Sequence, residues 1–164
     1  MYNRGKEAMN LANRVETHLV PELFEALQED RLVTVATIDH ESGGPTIHAI
    51  SWIRAFDEYT LRLAADRRSR IVQNIKHQSA VAVHLLANES AYSITGNGKV
   101  LTENVDSLPV PMAIIELKVS EIRDVMFYGS KVVAEPKHQK TYDKRAAERL
   151  DQQVIEALKK GADA

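Results

Sequence analysis

Three β-type segments between residues 32 and 65 are joined by links too short to hold a helix, and that spacing confines the chain to an antiparallel, mainly β fold. Residues 32–38 are rich in Val and Thr. The cluster Asp39-His40-Glu41-Ser42-Gly43-Gly44-Pro45 then breaks the strand before 46–53 resumes an extended pattern. Asp57-Glu58 is a turn-sized break ahead of 59–65, where Tyr59, Leu61, Leu63 and Ala65 fall on one face. A parallel sheet would need a helical crossover after nearly every strand, and these links cannot supply one.

The rest of the chain extends the pattern. Val81, Val83 and Leu85 alternate within 80–87, a hairpin partner follows at 91–95, and Ala113, Ile115, Leu117 and Val119 share one side of 113–119. A further short strand is expected at 131–134. Gly96-Asn97-Gly98 follows a strand and precedes Lys99-Val100-Leu101-Thr102 instead of a helix, so a bulge or turn is expected and no nucleotide role. Helical spacing recurs at three places. Leu19, Leu23, Phe24 and Leu27 mark 18–28, with Pro21 in the first turn; 69–77 is a short amphipathic segment; and Tyr142, Ala146, Leu150, Val154 and Leu158 recur every four residues in a helix opened by Pro136. These elements describe a six-stranded antiparallel β-barrel, mainly β (β+α), with a short inserted helix and helices at both termini. The expected organisation is a polar segment over 1–16, a barrel domain over 17–135, and a C-terminal amphipathic helix over 136–164 that packs on the same domain or on a dimer mate.

Composition removes several function classes. A chain of 164 residues holds one domain with a real core, and its net charge of −2 gives no general attraction to nucleic acid or anionic lipid. The absence of cysteine rules out disulfides, thiolate nucleophiles and Cys-ligated metals. His18, His40, His48, His77, His84 and His138 show no paired metal-ligand spacing, so no metal site is expected. Ser69 lacks the Gly-x-Ser-x-Gly elbow of a hydrolase nucleophile. The first ten residues lack the apolar centre of a signal peptide and no apolar run is long enough to cross a bilayer, which sets the expectation of a cytoplasmic protein without a membrane partner.

The chemistry-bearing stretch is Asp66-Arg67-Arg68-Ser69-Arg70, where an alternating strand gives way to a short helix. Free backbone N–H groups and the positive end of the dipole at a helix start favour an anion, and flanking guanidinium groups add charge-assisted bonds to phosphate oxygens. The alternative is a solvated loop of three arginines. Small residues at Ala49, Ser51, Ala64 and Ala65 either leave room for a flat ring against strand backbones or simply pack the barrel. His48 is open to two roles as well, a hydrogen bond to a ligand or a satisfied barrel histidine.

With its Gly-Pro turn, acidic turn and Arg68-Ser69-Arg70-Ile71-Val72-Gln73-Asn74-Ile75 segment, the stretch from about Leu32 to Thr102 resembles the pyridoxamine 5′-phosphate oxidase-like family of FMN-binding split barrels. The resemblance implies that Ser69 and Arg70 bind the FMN phosphate, with Arg67 or Arg68 as a further donor. It also implies that His48, Ala49, Ile50 and Ser51 line the isoalloxazine and phosphoribityl chain and that Ala64 and Ala65 lie beneath the flavin. Family members hold FMN between two subunits, so a homodimer with FMN at its interface is implied, acting on a small molecule not identified by the sequence. Two departures matter: Ile71 stands where many members carry Lys, and the only tryptophan is Trp52, so the resemblance does not extend to vitamin B6 oxidation. The implied function is an FMN-dependent oxidoreductase. The alternatives are a non-catalytic FMN-binding or stress-related protein, and a split barrel that binds another ligand such as haem.

Overall fold

The computed structural model describes residues 14–164. The polar segment expected at 1–16 therefore falls almost wholly outside the described residues. In chain order the elements are β1 (Val15–Glu16), α1 (Pro21–Ala26), β2 (Val33–Ile38), β3 (Pro45–Ile50), β4 (Ile53–Asp57), β5 (Thr60–Asp66), α2 (Arg70–His77), β6 (Ala80–Ala87), β7 (Ser90–Thr102), β8 (Met112–Asp124) and α3 (Lys144–Lys160), which runs into a 3-10 turn at Gly161–Asp163.

All strands belong to one antiparallel sheet of order β3-β2-β6-β7-β8-β5-β4, with β1 added against β8. Laid flat at roughly 4.8 Å per strand, this path would hold β3 and β4 about 29 Å apart. The chain from Ile50 to Ile53 spans at most about 11 Å. The sheet must therefore curl until its two edges meet at Ser51-Trp52, and they meet without a hydrogen-bonded ladder between them. The result is a split barrel, with eight strands among the described residues where the alternation suggested six.

The differences in count have local causes. The extended run expected over 46–53 breaks at Ser51-Trp52 and starts β4 at Ile53. The pieces on either side of Gly96-Asn97-Gly98 form one strand of 13 residues, β7, whose register shifts against β8 at Thr95/Gly96. The glycine pair thus marks a bulge. No strand forms at 131–134, which makes a single backbone bond, Val132 N–H to Glu89 O at 2.8 Å. Tyr59 belongs to the β4–β5 turn, where its N–H is capped by Asp57 Oδ1, and is half exposed instead of joining the inward row.

Period-two alternation fills the barrel: Val33, Val35, Leu61, Leu63, Val83, Leu85, Ile94, Ile115 and Leu117 point inward, and α1 and α2 close the core with Leu23, Ala26, Ile71, Val72 and Ile75. A second cluster lies outside the barrel wall. There Ala64 of β5 and Met112 and Ile114 of β8 are covered by Val154, Ala157 and Leu158 of α3, so this helix docks on its own barrel. Burial on both faces explains why β8 opens with the unbroken apolar run Met112-Ala113-Ile114-Ile115. The helix begins at Lys144 and not at Pro136, because Asp143 is the residue that caps it, accepting from Ala146 N–H at 2.8 Å. Its far end closes at Gly161, whose φ of +61° strains any other residue and where an added Cβ would lie 2.8 Å from the Arg62 guanidinium. Among the described residues no helix is long and apolar enough to cross a membrane.

Candidate functional site

Asp66, the last residue of β5, organises the strand-to-helix junction. Its carbonyl accepts from Ser69 N–H at 2.8 Å and its Oδ1 accepts from Arg68 N–H at 2.8 Å, while Arg67 N–H donates to Pro111 O at 2.9 Å. The turn therefore consumes its own backbone donors. Those left for an anion are the N–H groups of the first turn of α2, which have no partner within a helix. Ser69 occupies the N-cap position yet makes no side-chain cap, and its Oγ is buried without any partner. A buried hydroxyl with no acceptor or donor is costly, and a ligand oxygen would satisfy it.

The three arginines differ. Arg68 is exposed and reaches only 3.7 Å from Asp66, and Arg67 is exposed with no ion pair among the described residues. Arg70 is turned back onto the β2–β3 loop, with Nη1 2.5 Å from Asp39 Oδ1 and Nη2 3.4 Å from Glu41 Oε2. Its pairing raises the Arg70 pKa. Asp39 is buried and its pKa is lowered to about 2, chiefly because its carboxylate accepts from Ser42 N–H, with Arg70 adding a further favourable contact against the cost of burial. A carboxyl whose folded pKa lies below its unfolded value stabilises fully above about pH 4 and loses that contribution as pH falls toward 2. Stability measured by urea unfolding should decline across that window in the parent. In Asp39→Asn the decline should be shallower, and equal slopes would show that Asp39 is not the titrating group.

Beneath Arg70 lies a buried polar network that the sequence pattern did not reveal. Asn74 of α2 is fully buried; its Oδ1 accepts from His40 N–H at 2.9 Å and from His40 Nδ1 at 2.8 Å, and its Nδ2 donates to Thr37 Oγ1 at 2.9 Å and Thr46 Oγ1 at 3.4 Å. The amide orientation follows from the His40 backbone N–H, which can only donate. The Asn74 of the Ser-Arg-x-x-x-Asn segment was the one available signal. Thr37, Thr46 and His40 carry no motif of their own.

The strand residues separate by face. Thr46, His48 and Ile50 lie opposite Thr37, Val35 and Val33 and so point to the inner side of the sheet, whereas Ile47 and Ala49 point outward and are exposed. His48 Nδ1 is buried without a partner, a second orphaned polar atom on the inner row that leads to Asn74 and α2. Ser51 offers its carbonyl to Ile53 N–H at 3.0 Å. Ala64 and Ala65 are neighbours in β5 and face opposite ways, Ala64 under α3 and Ala65 into the barrel core. The structure thus brings Arg70 onto the β2–β3 loop and Asn74 onto Thr46 at the start of β3, and sets Ala49 and Ala64 on other surfaces. Ile71 is 3% exposed and part of the core, so this position offers no cation to an anion at the junction.

A family model described as pyridoxamine 5′-phosphate oxidase matches residues 19–126. Among solved structures, HupZ of Group A Streptococcus is 18% identical over 71% of this chain and 99% of its own, with a TM-score of 0.56. A Lactobacillus delbrueckii protein provisionally named pyridoxamine 5′-phosphate oxidase is 21% identical over 65% of this chain and 94% of its own, at 0.55. An F420 reductase is 21% identical over 63% and 98%, at 0.50. At these identities the likeness is one of fold. No curated protein matches the chain.

Proposed function

The chain belongs to the pyridoxamine 5′-phosphate oxidase family, and from that premise we propose that it is an FMN-binding protein whose phosphate site is the start of α2, acting as an oxidoreductase on a small molecule. The observation that carries this reading is the buried, unpartnered Ser69 Oγ at that helix start, beside the exposed Arg67 and Arg68. A phosphate monoester fits these groups: Ser69 donates to one oxygen, the first-turn N–H groups face another, and the two arginines supply charge. His48 Nδ1 is the inner-row group suited to a hydrogen bond with the polar part of the ligand. Hydride transfer is the chemistry that FMN supplies when bound, and the chain's part is to hold and orient it.

The site needs a second wall. A homodimer partner would supply it, and the exposed outer side of the edge strand β3, with Ile47 70% exposed and Ala49 beside it, is a face on which such a partner would pack. The second reading is a barrel that binds another ligand, such as haem, and one observation favours it. Arg70 is held by Asp39 and Glu41, and with Ile71 in the core the phosphate site has one dependable cation fewer than the segment suggests.

Calorimetric titration separates the two. Loss of a charge-assisted contact costs about 1.5–3 kcal/mol, so FMN should bind at least tenfold tighter than riboflavin, and Ser69→Ala should narrow that gap. Equal affinities for the two ligands would remove the phosphate site, and binding of neither would favour the second reading.

A further inference from the structure

On the outer wall of the barrel, away from the junction, β4 and β5 set two arginines directly opposite each other: Arg54 pairs in register with Arg62. Like charges at such a cross-strand position repel unless something neutralises them. The row continues through Glu116 of β8 to Lys99 of β7, so one carboxylate stands among three cations. That carboxylate is already committed, at 2.9 Å to Arg62 Nε and 3.4 Å to Lys118 Nζ. Arg62 is further satisfied by the carbonyls of Leu158 and Lys159 at the end of α3, at 3.0 and 3.1 Å, and stacks on the Phe56 ring at 3.7 Å.

Arg54 has no such partner. Its Nη1 donates to the Ile53 carbonyl at 2.7 Å and weakly to Ser51 O at 3.5 Å, and among the described residues no carboxylate lies within ion-pair distance of it. It is half-buried, and burial lowers its pKa, with Asp30 and Asp151 opposing only from a distance. Asp151 is engaged with Lys140 and with the Trp52 indole. Arg54 lines a cavity of about 200 Å³ between the β4–β5 edge and the last turns of α3, together with Gln28, Phe56, Arg62, Ile155, Leu158 and Lys159. Lys159 is paired with Glu156, and Arg62 offsets the negative end of α3, so the surplus charge of the cavity is that of Arg54.

We propose that this cavity is a binding site for a small organic anion, with the acid group on the Arg54 guanidinium and a single-ring apolar body against Phe56 and Ile155. A carboxylate matches the planar fork of donors that Arg54 leaves unused. The apolar walls supply the burial that a bare inorganic ion could not exploit, and the volume limits the ligand to about one ring. The site stands apart from the phosphate site: Arg62 lies four residues before Asp66, about 13 Å along β5. It does not depend on the flavin reading.

Benzoate is the probe and benzyl alcohol its neutral counterpart, titrated into the full chain while backbone amide resonances are followed. Benzoate should shift the amides of residues 54–56 and 155–159 and bind at least tenfold tighter than benzyl alcohol. Arg54→Gln should abolish that preference without loss of thermal stability, since it removes a repelled charge, and should leave FMN titration unchanged. Equal affinity for the two probes, or benzoate shifts centred on residues 67–71, would overturn the proposal. The wild-type comparison needs no variant, so the test stands even if Arg54→Gln fails to fold.

Discussion

Gly96→Ala is expected to destabilise the fold by about 3 kcal/mol or more, the upper end of overpacking penalties. A Cβ at this position would lie 2.0 Å from the Lys118 carbonyl oxygen, 2.9 Å from its carbon and 3.1 Å from Leu117 Cδ2. The nearest atoms are backbone of β8, which cannot rotate aside as a side-chain tip would. Relief requires the strands β7 and β8 to part at the bulge where their register shifts, and these two 13-residue strands tie the two halves of the sheet together. Gly44→Ala is the control. Its Cβ would meet nothing closer than Ser42 Oγ at 3.5 Å, in an exposed loop, and the change should stay within about 0.5 kcal/mol. Urea midpoints of the two variants decide the matter: a native midpoint for Gly96→Ala would mean that the close approach is not real.

Asn74→Ala is expected to cost about 3 kcal/mol, because it leaves the His40 N–H and the Thr37 hydroxyl without their partner in a buried place, at about 1–3 kcal/mol each. Asn74→Asp tests the same network with the opposite pH signature. An aspartate there can still accept from His40 and from the Thr37 and Thr46 hydroxyls, but its charge is taken fully out of water. Burial raises its folded pKa above the unfolded value of about 3.9, so its penalty is small below that pH and grows as pH rises. Asn74→Asp should therefore approach the parent's stability at pH 5 more closely than at pH 7.5, while the deficit of Asn74→Ala should stay flat. A deficit for Asn74→Asp that does not vary with pH would show that Asn74 is not in a closed polar pocket. Asn74→Ala also releases the loop that carries Asp39 and Glu41, and with it the grip on Arg70.

Much of the barrel is legible along the chain because its signals are local. Val33, Val35 and Thr37 alternate with Thr34, Ala36 and Ile38; Leu61 and Leu63 do the same in β5; and the short links leave antiparallel pairing as the only option. Of the bulge or turn expected at the glycine pair 96–98, the structure forms the bulge, within one continuous strand. The opposite orientation of Ala64 and Ala65 follows equally from the two-residue period of a strand, so only one of the two can line any given face. Where the local signal was wrong, it was weak. Tyr142 fits the four-residue spacing of the last helix but precedes its capping Asp143, and a single strand and a broken pair look alike across Ser51-Trp52.

What the sequence by itself determined is the mainly β, antiparallel class, the inward rows of the strands and the placement of Ser69-Arg70 at a helix start, since each depends on residues within a few positions of one another. Only the tertiary structure decided what those residues face. Arg70 meets Asp39 across 31 positions, Asn74 gathers Thr37, His40 and Thr46, α3 covers Ala64, and Arg54 is left opposite Arg62 without a carboxylate. Which charge is neutralised and which is left for a ligand depends on distances of 3–4 Å between groups far apart in the chain, and those distances exist only once the sheet has curled and closed.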